Sequence, residues 1–243
     1  MSITVTNSVS GTPAAVSNGF AGGTVTFSNL NGGTNFSSGT TVVVMVNFDD
    51  SGPPGSPKIG GQTPTGSIDC SGAAARTATM FYLDVTSSIA DTFACSGSGY
   101  DKMAVIAWVL SGAATGGPSS SVTITYPSAG NPQTFPSITN PSGGVIIAGG
   151  AMGISGGQTP AWTNCTSATG DMTTSYTTTL QVMGAHSTNS GATTITNNTT
   201  GAPFGFGGIA AAWAPSGGGS PKWAPYLSDD ISALQVVPRA VGY

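Results

Sequence analysis

Glutamate is absent from this chain of 243 residues, histidine occurs once, and five basic and nine acidic side chains carry all of its formal charge. Charged residues make up 6% of the chain, against roughly 25% in an ordinary soluble domain. So few lysines and arginines, under a net charge of −4, leave no clustered basic surface for nucleic acid or anionic lipid. One histidine, His186, excludes any site built from several imidazoles, including the two-histidine zinc motifs. Paired, spaced Glu and Asp residues of the kind that hydrolyse glycosides are missing. The chain also lacks a run of 18 apolar residues, and Met1-Ser2-Ile3-Thr4-Val5 has neither a basic nor an apolar leader region, so no membrane span and no secretory signal is expected.

What is present is 38% apolar residues and 37 glycines, with Val, Ile and Thr alternating through many short runs. Good helix formers are scarce and β-branched residues plentiful, which predicts an all-β fold with tight turns. A surface of Ser, Thr, Asn and Gly with little charge repels neighbouring copies weakly and tolerates dense association. Three cysteines, Cys70, Cys95 and Cys165, are too few and odd in number for a disulfide-built scaffold. Buried free thiols are expected, with a Cys70–Cys95 bridge as the alternative.

The chain resembles itself. Gly60-Gly61-Gln62-Thr63-Pro64 recurs at Gly156-Gly157-Gln158-Thr159-Pro160, and a cysteine follows each copy, Cys70 and Cys165. Before each lies a continuous apolar run, Val42–Val46 and Val145–Ala148, as a strand buried on both faces requires. After each comes a β-rich run, Met80–Val85 and Tyr176–Val182. Each half closes on a tryptophan-bearing strand, Ala104–Gly112 and Gly208–Gly217, and the leading strands Thr24–Phe27 and Val122–Tyr126 pair in the same order. The expected architecture is a β-sandwich of ten or more strands over residues 1–215, built from pseudo-repeats at about 20–112 and 120–215, with two separate small sandwiches as the alternative. Residues 216–221 read as a flexible linker. Residues 222–243 read as a C-terminal docking tail whose candidate assembly contacts are Trp223, Tyr226, Leu227, Ile231, Leu234, Val236 and Val237, packing back on its own sandwich being the alternative.

Catalytic chemistry is weakly signalled. Gly153-Ile154-Ser155-Gly156-Gly157 fits the nucleophile-elbow pattern, and Asp171 and His186 follow in hydrolase order. The elbow needs a helix after the turn, whereas Gly157-Gln158-Thr159-Pro160 leads into a strand, so no catalytic residue is assigned. Asp49-Asp50 lacks the spaced oxygen ligands that calcium needs, and no metal or cofactor is expected. Trp108 and Trp213 read as core residues. Trp162, Tyr176 and Tyr100 lie in polar stretches and are candidate glycan contacts if they cluster on an exposed concave patch.

These landmarks resemble a family of tailed-bacteriophage virion proteins rich in Gly, Ala, Ser and Thr. The likeness rests on Thr24–Phe27, Val42–Val46, Ile59–Gly61, Val105–Gly112, Gly144–Ala148 and Ala210–Trp213, and spans about residues 20–215. It implies a jelly-roll-like sandwich and a non-enzymatic homo-oligomeric component of the virion, as a head decoration, spike-base or tail-associated protein made in the host cytoplasm. The implied partners are other virion proteins and copies of the chain itself. The alternative is a carbohydrate- or receptor-binding module on the virion surface that takes a host-surface glycan.

Overall fold

The computed structural model describes residues 2–9, 21–48, 54–70, 77–98, 103–126, 132–153, 159–176, 180–199 and 205–217, and every regular element among them is a β-strand. The first eight strands are β1 (Thr4–Val9), β2 (Ala21–Phe27), β3 (Thr40–Phe48), β4 (Gly55–Ile59), β5 (Gly66–Cys70), β6 (Thr77–Asp84), β7 (Phe93–Ser98) and β8 (Met103–Ser111). They form a five-stranded sheet of order β1-β8-β3-β6-β5 and a three-stranded sheet of order β2-β7-β4. The second set is β9 (Ser120–Tyr126), β10 (Gln133–Thr134), β11 (Ile138–Asn140), β12 (Val145–Gly153), β13 (Trp162–Thr163), β14 (Met172–Tyr176), β15 (Leu180–Ser187), β16 (Gly191–Thr193), β17 (Thr196–Asn197) and β18 (Gly205–Trp213). It forms a five-stranded sheet of order β14-β15-β12-β18-β9, a three-stranded sheet β10-β17-β13 and the pair β11-β16. All the pairings are antiparallel.

The long apolar runs become central strands because both of their faces are covered. In β3, Val42, Val44 and Val46 enter a core shared with the β2-β7-β4 sheet, while Val43 and Met45 enter a second core between the two five-stranded sheets. In β12, Val145 and Ile147 face that same central core, and Ile146 and Ala148 face a third core beneath the short strands of the second set. The two five-stranded sheets therefore face each other, in an all-β arrangement consistent with a β-sandwich. Each also carries its own small outer sheets, a layer that the sequence did not announce.

Counted in chain order and leaving β11 and β16 aside, the second set repeats the sheet neighbours of the first: first beside last, last beside third, third beside sixth, sixth beside fifth, and second beside seventh beside fourth. The β11-β16 pair falls where the first set has the isolated bridge Phe36–Ile89. The landmarks read from sequence map onto this order imperfectly. Gly60–Pro64 follows β4, whereas Gly156–Pro160 precedes β13; Thr24–Phe27 lies in a second-ranked strand and Val122–Tyr126 in a first-ranked one. The first set also begins at Thr4 rather than near residue 20, because β1 pairs with β8 along its length.

The connection between the sets, residues 112–119, is pinned to both. Ala114 N donates to Ala214 O at 2.8 Å, Ser119 N to Ala212 O at 2.7 Å, Ser216 N to Gly112 O at 2.7 Å and Gly116 N to Asp84 Oδ2 at 2.7 Å. Gly116 and Gly117 turn at positive φ, 95° and 98°, where a side chain is disfavoured. At Gly117 a Cβ would also stand 2.6 Å from the Tyr82 ring.

Candidate functional site

The strongest polar constellation among the described residues lies where the two five-stranded sheets meet. Asp171, immediately before β14, is placed by its own backbone: its N–H donates to Gly184 O at 2.8 Å, and Gly170 before it turns at φ 78°. Its carboxylate accepts the indole N–H of Trp108 at 2.9 Å, from β8 in the first set. It also accepts the Nδ1 proton of His186, on β15, 2.8 Å from either carboxylate oxygen. The Asp171 side chain is 4% exposed and that of His186 15%. Trp108 reaches Asp171 by passing over Gly184, whose missing side chain makes the room: a Cβ there would stand 2.3 Å from Trp108 Cζ2. The backbone of His186 is held as well, since Thr166 N donates to His186 O at 2.8 Å.

With Nδ1–H directed at the carboxylate, Nε2 is the nitrogen left to accept a proton when the ring is neutral. That orientation is the one a general base needs, so the order Asp171…His186 seen in the sequence does correspond to a contact. The third member of that pattern, Ser155, lies outside the described residues. The geometry supplies an oriented imidazole.

The nearby thiol is not a substitute nucleophile. Burial, and secondarily the negative charge of Asp171, push the Cys165 thiol up to about 12, which leaves very little of the reactive thiolate at neutral pH. All three cysteines are free. Cys70 belongs to the central core and Cys95 to the core on the other face of the same sheet, so the Cys70–Cys95 bridge is not formed. Among the described residues no group of three or more His, Cys, Asp or Glu side chains is arranged to hold a metal ion.

The chain matches no family model, no curated protein and no solved structure.

The other residues singled out from sequence fall as follows. Trp108 and Trp213 are fully buried in the central core. Trp162 is 3% exposed and belongs to the core beneath the short strands. It presents no ring face to a sugar, which removes it from the expected glycan patch. Its polar sequence neighbours misled because strand side chains alternate: Ala161 and Thr163 are exposed and Trp162 turns inward. Tyr176 ends β14 opposite Leu180, and its side chain lies outside the described residues, as do Tyr100, Asp49 and Asp50. The assembly contacts Trp223, Tyr226, Leu227, Ile231, Leu234, Val236 and Val237 also lie outside the described residues. Of the expected linker, Ser216 is hydrogen-bonded to Gly112. Sequence reasoning missed the Trp108–Asp171 contact and the Gly184 notch, which join residues far apart in the chain and leave no local signal.

Proposed function

We propose that the chain is a structural, non-enzymatic component of a bacteriophage or phage-like particle, a head decoration, spike-base or tail-associated protein. In this reading it acts as a homo-oligomer through contacts with other virion proteins and copies of itself. The observation that carries the reading is where the chain spends its side chains. Its long strands β3, β8, β12 and β18 are buried on both faces, while the only charged residues described are Lys58, Asp69, Asp84, Asp91 and Asp171. A rigid, almost uncharged body suits dense packing against neighbours, where charged surfaces would repel or demand matched partners.

The resemblance to Gly-, Ala-, Ser- and Thr-rich virion proteins supports the same reading. In it each set of strands is a jelly-roll unit, and the chain is two copies of one unit back to back. The shared strand order, with first and last strands adjacent and two facing antiparallel sheets per set, supports that assignment. The segment from Lys222 to Tyr243, with its aromatic and aliphatic series, is the attachment element in this reading.

The test is deletion of Ser220–Tyr243 in the source particle. The expected result is a folded β-sandwich by circular dichroism that no longer incorporates, read by proteomics and imaging of purified particles. Normal incorporation of the truncated chain would overturn the attachment role, and absence of the full chain from purified particles would overturn the structural role altogether.

A further inference from the structure

A strand at the edge of a sheet holds out a row of backbone N–H and C=O groups that another strand can take up, and proteins blunt such edges with charge, proline, bulges or brevity. The edges of this fold are blunted unevenly. β2 and β4 each carry a register shift, and β4 also holds Pro57 and Lys58. β5 bears Asp69, and β10 and β13 are two residues long. β9 has none of these devices. Its seven residues, Ser120 to Tyr126, include neither charge nor proline, keep an unbroken register with β18, and pair with no other strand among the described residues.

The two faces of β9 alternate regularly. Val122, Ile124 and Tyr126 are partly buried against the outer core of the second set, while Ser121, Thr123 and Thr125 are exposed. About its midpoint, Thr123, the strand matches itself: laid antiparallel to a second copy it sets Val122 beside Ile124, Ser121 beside Thr125 and Thr123 beside Thr123. Opposed residues in a ladder share a face, so apolar meets apolar and hydroxyl meets hydroxyl. The two-fold axis of such a pair is perpendicular to the sheet and keeps each layer of one copy level with the same layer of the other. The rival edge is β1, which turns Val5 to the central core and exposes Thr4 and Thr6, the reverse of β9. Joining β9 to β1 of another copy would therefore either put hydroxyls beside apolar side chains or step the layers of one copy past those of the next. Charge does not oppose the approach of two β9 edges, since neither β9 nor β18 carries any. In β5, which reaches β9 through the bond from Cys70 Sγ to Ile124 O at 3.1 Å, Asp69 points away from the central core that Cys70 enters.

We propose that β9 is a self-pairing edge: two copies of the chain join β9 to β9, antiparallel about Thr123, and so unite their five-stranded second sheets into one sheet of ten strands. The shared ladder runs about 23 Å, which is small for a permanent interface. The pairing therefore depends on concentration in solution and strengthens where copies are held side by side. Its place in a particle rests on the homo-oligomeric reading above, whereas the pairing in solution stands on the edge alone.

The test is disulfide trapping of the purified full chain. Thr123→Cys, Ser121→Cys and Thr125→Cys each replace an exposed side chain, and circular dichroism checks that the fold is kept. Opposed Cα atoms in an antiparallel ladder stand about 4.5–5.5 Å apart, a spacing that a disulfide spans. Under mild oxidation T123C is expected to give a linked dimer as its main product. S121C and T125C alone should stay at the background of the parent, and a mixture of those two should link. A benzophenone side chain at position 125, with its links mapped by mass spectrometry, identifies the strand that lies alongside. Links to β9 of another copy are expected, and links to β1 or to residues 222–243 would overturn the assignment. Without any cysteine, Thr123→Lys should lose the concentration-dependent dimer that the parent shows in sedimentation equilibrium. The self-pairing is wrong if T123C stays monomeric, if the three single variants link alike, or if the parent sediments as a monomer at every concentration. A chain that fails in these ways but is still found in purified particles leaves the structural role standing.

Discussion

At the scale of single residues, the two buried tryptophans offer a controlled comparison. Both rings are fully buried in the central core, but Trp108 Nε1 donates to Asp171, whereas Trp213 Nε1 is buried with no hydrogen-bond partner among the described residues. Replacing either by phenylalanine removes similar apolar area. Only W108F strands a buried carboxylate short of a donor, an effect of about 1–3 kcal/mol. W108F is therefore expected to lower the unfolding free energy, measured by urea titration, by that much more than W213F does. Equal losses would mean that the indole–carboxylate bond contributes nothing net. His186 and Asp171 are visible in the sequence as a pair in suggestive order, and the structure brings them into contact. What that order could not convey is that the carboxylate also accepts the indole N–H of Trp108, from the other set of strands.

Among elements, β12 shows how tightly the central strands are packed. Gly149 and Gly150 are adjacent yet face different neighbours. A Cβ at Gly149 would stand 3.0 Å from Met183 O and 3.0 Å from Met45 Cε, the latter the free end of a flexible side chain. At Gly150 it would stand 2.4 Å from Phe206 Cζ and 2.7 Å from Gly207 O, so an aromatic ring and backbone would both have to yield. Gly150→Ala is expected to destabilise by about 1–3 kcal/mol, as overpacking does, and Gly149→Ala by clearly less, in paired denaturant titrations. The reverse order would mean that the β12–β18 spacing is softer than the contacts indicate.

The same element explains which parts of the fold are legible from sequence. Strands covered on both sides must be apolar at consecutive positions, and Val42–Val46, Val105–Leu110, Val145–Ala148 and Ile209–Trp213 stand out for that reason. The outer strands β10, β13 and β17 have two residues each, too few for a period of two to emerge. That is why Trp162, paired across strands with Asn197, reads from sequence as an aromatic in a polar stretch and not as a core residue.

The molecule as a whole has a predictable alkaline limit. Burial pushes the Cys95 thiol up to about 12, and burial with Asp171 does the same to Cys165, from a value of 9.0 in the absence of structure. A thiol with a raised folded value keeps its proton where the unfolded chain has released it. The unfolded state then binds fewer protons, and stability falls as pH rises. That contribution is fully present below pH 9 and is lost progressively as pH climbs towards 12. Urea midpoints measured between pH 8 and 11 should decline. The Cys95→Ser, Cys165→Ser double variant should decline less steeply, separating the thiols from other groups that titrate in that range. An unchanged slope in the double variant would refute the assignment to these two residues.

The positions of the first and last strands also determine how the molecule bears tension. Among the described residues β1 lies on a sheet edge and pairs with β8 alone, while β18 lies between β12 and β9, with nine-residue and seven-residue ladders on its two sides. Force applied near the amino terminus can peel a short strand away one bond at a time. Force entering through the segment after Gly217 must shear two ladders together, after first breaking the bridge at Pro215 and the bond from Ser216. A tether at the carboxyl end is thus attached to an interior strand of its sheet, and an anchored copy would fray at its opposite end before it let go.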